Sequence, residues 1–259
     1  MPARRIRISA GRLLPRGPLD VVRQVLLFAL AYLAYRIARG AVDDPAGAAV
    51  AFENARSLIH LEQSLGVFAE PSVQAWASGS RLIIDAASWT YVNAQSTITT
   101  AALVYLYLAH NRSFYFVRNM FAVAIAIAMV GYVVVPTAPP RFFPEWGFVD
   151  SVAELTGVRH DSVVAHALFN PYAAIPSMHV AFALMIAVPI ARLARHRITR
   201  VAWSLYPLLV TFVIVATANH FFADAVAGGL TAALAASAAL WLARARPAAW
   251  AFRDAEVAA

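Results

Sequence analysis

Phe116-Val-Arg-Asn-Met-Phe-Ala-Val-Ala-Ile-Ala-Ile-Ala-Met-Val-Gly-Tyr-Val-Val-Val135 carries one charge, Arg118, and stops at Pro136. A helix needs about 20 mostly apolar residues to cross the hydrocarbon core of a bilayer. This run has that length, so it predicts a membrane span. Working outward, similar runs occur at Leu82–Ala109 before it and at Met178–Leu193, Val201–Ala218 and Ala225–Ala243 after it. Another lies near the start, at Leu19–Ile37, with Arg23 and Arg36 placed where long side chains can reach the interface. The expected fold is therefore all-α: a polytopic membrane protein of about six transmembrane helices. The division that follows is a basic cytoplasmic tail over 1–18, a six-helix membrane domain over 19–244 and a cytoplasmic tail over 245–259.

Composition agrees with the runs. Of 259 residues, 61% are apolar and 14% charged, against roughly 45–50% and about 25% in soluble domains. The absence of cysteine excludes disulfides, thiolate metal ligands and a thiol nucleophile. Every basic residue is Arg, so any cation that holds a phosphate is a planar, two-point guanidinium. The net charge of +7 reads as Arg-rich cytoplasmic loops rather than as a nucleic-acid surface.

Between the first two expected spans, residues 46–78 have another character. Over Ala48–Phe68, Val50, Leu58, Leu61 and Leu65 alternate at helical spacing with Glu53, Arg56, Glu62 and Gln63, and Pro71 ends the pattern. This is either an amphipathic helix lying in the membrane interface or a surface helix packed on the bundle.

Charge orients the spans. The first tail carries Arg4, Arg5, Arg7, Arg12 and Arg16, and the 110–118 turn carries Arg112 and Arg118. The turn after the fourth span has Arg192, Arg195, Arg197 and Arg200, and the last tail has Arg244, Arg246 and Arg253. Alternating spans put these four segments on one side, which the positive-inside rule makes cytoplasmic. The opposite side receives residues 38–81, with five acids against three Arg, and residues 136–176, with four acids against two Arg.

Three polar stretches meet span ends on that less basic side: Pro136-Thr-Ala-Pro-Pro-Arg141, Ile175-Pro-Ser-Met-His179 and Asn219-His220-Phe-Phe-Ala-Asp224. His220 and Asp224 are four apart, which on a helix places them on one face. A carboxylate bound to one imidazole nitrogen leaves the other free to attack. With His179 as a proton donor and Arg141 as an oxyanion holder, the set suffices for phosphoryl transfer through a phosphohistidine. The same residues also allow blander readings. His179, His220 and Asp224 could share a metal ion, or pair structurally in a transporter or scaffold. Ser177 reads as the N-cap of the helix that carries His179.

These stretches carry a resemblance. Pro176-Ser-Met-His179 resembles the second motif of the type 2 phosphatidic acid phosphatase superfamily, usually Pro-Ser-Gly-His, and His220 with Asp224 resembles the His-x3-Asp of its third. Pro136-Thr-Ala-Pro-Pro-Arg141 and Asn170-Pro-Tyr-Ala-Ala-Ile-Pro-Ser-Met-His179 are similar to the branch of fungal inositol phosphorylceramide synthase. The resemblance implies His220 as nucleophile, Asp224 as its orienting partner, His179 as general acid and Arg141 as phosphate binder. It implies no metal or other cofactor. The implied partners are the membrane and a lipid phosphate or phospholipid substrate; the charge count above puts the active site on the extracytoplasmic side of a cell membrane. The sequence departs from the wider superfamily at four positions. Val134 stands where the first motif has Lys, and Phe142 where it has Pro. Val213 and Ile214 stand where the third motif begins Ser-Arg. Arg159, His160 and His166, and more weakly Asn93 and Gln95, are candidates to complete the phosphate pocket.

Overall fold

The computed structural model describes residues 14–40, 45–157 and 172–246. Nine α-helices run through them: α1 Gly17–Gly40, α2 Pro45–Ser64, α3 Glu70–Ser78, α4 Arg81–Ala109, α5 Asn111–Val134, α6 Ser151–Thr156, α7 Met178–Leu193, α8 Arg197–Ala216 and α9 Phe222–Ala245. There is no strand among the described residues; the one extended pairing is a parallel bridge between Thr137 and Ala173. The fold is that of a polytopic helical membrane protein, and helices occupy all six expected span positions.

By length and composition, α5, α8 and α9 are apolar enough to cross a membrane. α7 is apolar but has only 16 residues. α4 has 29 residues but holds Asp85, Asn93 and Gln95. Large apolar side chains are exposed along the sides of these helices: Leu26 and Leu30 on α1, Val130 and Val133 on α5, Leu205 and Leu208 on α8, Leu230 and Leu234 on α9. Lipid, not water, is the solvent for such a surface.

α7 stands at the centre, packed against α4, α5, α8 and α9. Around it Leu106, Phe114, Val117, Phe121, Met185, Ile186 and Ala235 form the main core. α1 packs on α5, and its first turn is held by a polar cluster. Tyr107 and Tyr115 both donate to Oδ2 of Asp20, Gln24 donates to Oδ1, and Arg118 donates to Gln24. Arg118 also donates to Oδ1 of Asn119 and so spends its polarity inside the protein, which explains why the opening run tolerates it.

The segment 46–78 departs from a single helix ended by proline. The break falls at Gly66, whose φ of +69° is open to glycine at little steric cost. Val67 N–H reaches back to Glu62 O at 2.9 Å and Gly66 N–H to Gln63 O at 3.0 Å, a Schellman ending. Pro71 instead sits in the first turn of α3, where its missing N–H is harmless. α2 buries Ala51, Ala55, Ile59 and Glu62 against Ala138, Phe143 and Phe148. The adjacent stripe of Val50, Leu61 and Leu65 remains exposed. The helix packs on the bundle with one stripe and offers a second outward.

α9 approaches the start of α7 closely at one point. A Cβ built on Gly228 would overlap the carbonyl oxygen of Ser177, whereas one on Gly229 meets only Leu184 Cδ1, at 3.8 Å. Gly228→Ala should therefore destabilise the protein by about 1–3 kcal/mol, seen as a lower Tm in detergent. Gly229→Ala should leave Tm near wild type.

Candidate active site

Backbone hydrogen bonds bring the three polar stretches together in pairs. Thr137 N–H donates to Tyr172 O at 2.9 Å, joining the first stretch to the approach of the second. Arg141 N–H donates to Ala218 O at 2.9 Å, joining the first to the third. Ser177 N–H donates to the backbone carbonyl of Asp224 at 3.0 Å, joining the second to the third. The 3-10 turn Pro140–Phe142 presents Arg141, the first turn of α7 presents His179, and the α8–α9 connection presents His220.

That connection is tightly built. Ala218 has φ +51°, an uncommon left-handed conformation for a residue with a Cβ, and turns the chain out of α8. Asn219 and His220 N–H groups both return to Ile214 O, at 3.0 and 3.1 Å. His220 and Asp224 do not share a helical face as expected, because α9 begins only at Phe222. Asp224 lies in the third position of that helix and reaches backward, accepting Phe221 N–H at 2.9 Å on Oδ2. This is the carboxylate half of a capping arrangement. The same oxygen accepts Nδ1–H of His220 at 3.1 Å, leaving Nε2 as the lone-pair nitrogen. Burial first, and the Arg141 guanidinium second, push the imidazole of His220 below its ordinary value, against a hydrogen bond with the Ala174 backbone. Its resting form is neutral.

His179 faces His220 with ring centroids 5.4 Å apart and planes 64° apart, and it stacks on Tyr91 at 4.7 Å. The Arg141 guanidinium donates to Asn219 Oδ1, and its Nε lies 3.8 Å from Asp150 Oδ2. Asn219 in turn donates to Thr217 O and Oγ1, at 3.0 and 2.9 Å. Ser177 occupies the N-cap position of α7, but its hydroxyl makes no capping bond; Oγ is buried with no protein partner. It is a donor in reserve beside the two histidines.

The arrangement thus brings Arg141, His179, His220 and Asp224 to one place. Gln95 lines a small cavity under His179 with Thr90, Tyr91, Thr99, Val213 and Ile214, and its Oε1 is buried without a partner. Asn93 is elsewhere, donating to Trp89 O of its own helix. Arg159, His160 and His166 lie outside the described residues. Val213 and Ile214, where the wider superfamily has Ser-Arg, are buried apolar residues. Two residues at the site escaped the sequence reading. Asn219 was visible beside His220, but its grip on Arg141 spans 78 positions. Tyr91 gave no local signal. Ser177 was read as a cap, and only the structure shows its hydroxyl unbonded.

Comparison with known proteins places the chain in a family. The family model described as the PAP2 superfamily matches residues 56–239. No curated protein and no solved structure matches the chain.

The two bonds that aim Arg141 make a graded prediction. Arg141→Lys keeps the charge but loses the fork, and kcat/KM for phosphate release should fall on the order of 10²-fold. Asn219→Ala keeps the fork but frees it, and should cost about tenfold, close to one hydrogen bond to a charged group. Equal activity of Arg141→Lys and wild type would remove Arg141 from the phosphate site.

Proposed function

The chain belongs to the PAP2 superfamily, a grouping of phosphatase and phosphotransferase type, and from that premise we propose that it is a membrane phosphoesterase acting on a lipid phosphate through a phosphohistidine. The observation that carries the proposal is the His220 Nδ1–Asp224 Oδ2 bond at 3.1 Å, with a second imidazole, His179, 5.4 Å away. Nε2 of His220 attacks phosphorus, and the bond from phosphorus to the ester oxygen breaks. His179 gives its proton to the departing oxygen. Asp224 stabilises the positive charge that forms on His220. Arg141 and the Ser177 hydroxyl hold the equatorial oxygens as charge spreads over them. His179 then takes a proton from the incoming acceptor, whose oxygen attacks phosphorus, and the nitrogen–phosphorus bond breaks. The group that departs and the group that arrives meet the same imidazole, so hydrolysis and transfer need no different machinery. The resemblance of 136–141 and 170–179 to the inositol phosphorylceramide synthase branch favours a hydroxyl acceptor, from a lipid or polyol, over water.

The membrane domain of residues 19–244 supplies the rest. Lipid-facing side chains surround the site, so an acyl tail can remain in hydrocarbon while the headgroup meets the histidines. The described Arg of those segments, Arg16, Arg112, Arg192, Arg197 and Arg244 among them, are at the ends of the helices away from the three motifs, which supports an extracytoplasmic site.

Purified protein should form an acid-labile, base-stable phosphoenzyme with a labelled lipid phosphate. His220→Ala should abolish it while folding normally in detergent. Asp224→Asn should turn over slowly. Activity should survive EDTA and be blocked by vanadate. A His220→Ala protein that turns over normally, or a loss in EDTA restored by zinc or magnesium, overturns the mechanism.

Orientation has its own test in this Cys-free chain. Glu154→Cys and Thr199→Cys both place a thiol at an exposed position. A membrane-impermeant maleimide added to intact cells should label the first and spare the second. The reverse pattern puts the site in the cytoplasm.

A further inference from the structure

Two buried acids in the segment before α4 contact the catalytic helix. Glu70 is fully buried and Glu62 is 3% exposed. Glu70 Oε1 accepts Phe222 N–H at 2.8 Å, and Glu62 Oε1 accepts Ala223 N–H at 3.0 Å. With Asp224 Oδ2 taking Phe221 N–H, three carboxyl groups from α2, α3 and α9 cap three successive amides. Those amides immediately follow His220. The Gly66 ending of α2 folds the chain back so that Glu70 and Glu62 accept the N–H groups of adjacent residues, Phe222 and Ala223, which puts the two carboxyl groups side by side. In each, Oε2 is buried with no donor other than the other acid. Two negative charges so placed, with Asp224 beside them, would repel without solvent to screen them. One proton between the two Oε2 atoms removes the repulsion and satisfies both.

Resting on the reading of His220 as nucleophile, we propose that Glu62 and Glu70 share one proton and act as a clamp on the first turn of α9 that positions His220. They are positioning residues: neither reaches the reacting phosphorus, and both act through the backbone that carries the nucleophile. The segment 45–78 is thereby part of the catalytic apparatus. The clamp also explains why the α9 N-terminus, a ready anion site in principle, is closed to substrate: its amides are taken, and the phosphate is left to Arg141 and Ser177.

The groups facing Glu62 are Glu70 from α3 and Asp224 from α9. Burial first, and the charge of Glu70 second, push Glu62 up to about 8 from an ordinary 4.5. The folded protein therefore keeps a proton that the unfolded chain has released, and stability falls as pH rises across that window. Above it the clamp carries two charges and loosens.

Full-length protein in detergent tests this with Glu62→Gln and Glu62→Ala. Glutamine retains the acceptor for Ala223 and is neutral at every pH. Wild-type kcat on a lipid phosphate should fall above about pH 8. Glu62→Gln should lose that alkaline limb, its kcat above that pH matching its own value at neutral pH. Glu62→Ala should lower kcat about tenfold or more, with KM little changed, since a misplaced nucleophile acts on the chemical step. A Glu62→Gln profile that superimposes on wild type overturns the shared proton, and wild-type kcat in Glu62→Ala overturns positioning. If Glu62→Ala does not fold, Glu70→Gln replaces it and should likewise shift the limb. A second readout needs no substrate. The fall of Tm between pH 5 and pH 8 in wild type should flatten in Glu62→Gln; equal slopes overturn the clamp. If wild type hydrolyses no lipid phosphate yet the Tm slopes differ as expected, the functional reading fails and the shared proton stands.

Discussion

The motif end of the molecule depends on one residue, Asp224, which takes three bonds on two of its atoms. Its backbone carbonyl takes Ser177 N–H and so fixes the start of α7 against the start of α9. Its Oδ2 takes both Phe221 N–H and His220 Nδ1–H, so the same oxygen begins the helix and sets the imidazole tautomer. Structural and chemical roles are joined in a single, fully buried carboxylate. Gly228, one turn along α9, permits the approach that makes the first of them possible.

The positions of the spans were legible because hydrocarbon demands unbroken apolar runs, and such runs are visible residue by residue. Phe116–Val135 lies in α5 but for its last residue, the C-cap, and Ala225–Ala243 falls within α9. Arg118 inside α5 was read only as part of a basic turn; its partner Gln24 lies more than ninety positions away. What could not be read was local chain reversal. A proline looked like the end of an amphipathic helix, yet Gly66 ends it and Pro71 opens the next. Four-residue spacing suggested a helical face for His220 and Asp224, whereas the real geometry is a side chain reaching back to a cap.

Arg141, His179, His220 and Asp224 were identifiable because they stand in short stretches that resemble known motifs. Glu62 and Glu70 were not, because nothing local separates a buried glutamate from the solvated ones at 53 and 154. In the amphipathic pattern Glu62 even counted as part of the polar face. Only the approach of α2 and α3 to the α9 amides distinguishes it. A polar residue adjoining a buried stripe is ambiguous in sequence for that physical reason: its partner is a backbone group, and backbone groups leave no mark in the letters.

α7, the helix at the centre of the bundle, has 16 residues and is about 24 Å long at 1.5 Å per residue, while a bilayer core is about 30 Å thick. With the Arg-rich turn after it anchored at one interface, its His179 end falls short of the other. On the proposed function, a phosphate meets the histidines only where headgroups descend to that depth or the lipid thins locally. Hydrophobic mismatch would then enter the rate: a bilayer of shorter acyl chains would present its headgroups at the depth of the site, and a thicker one would hold them above it.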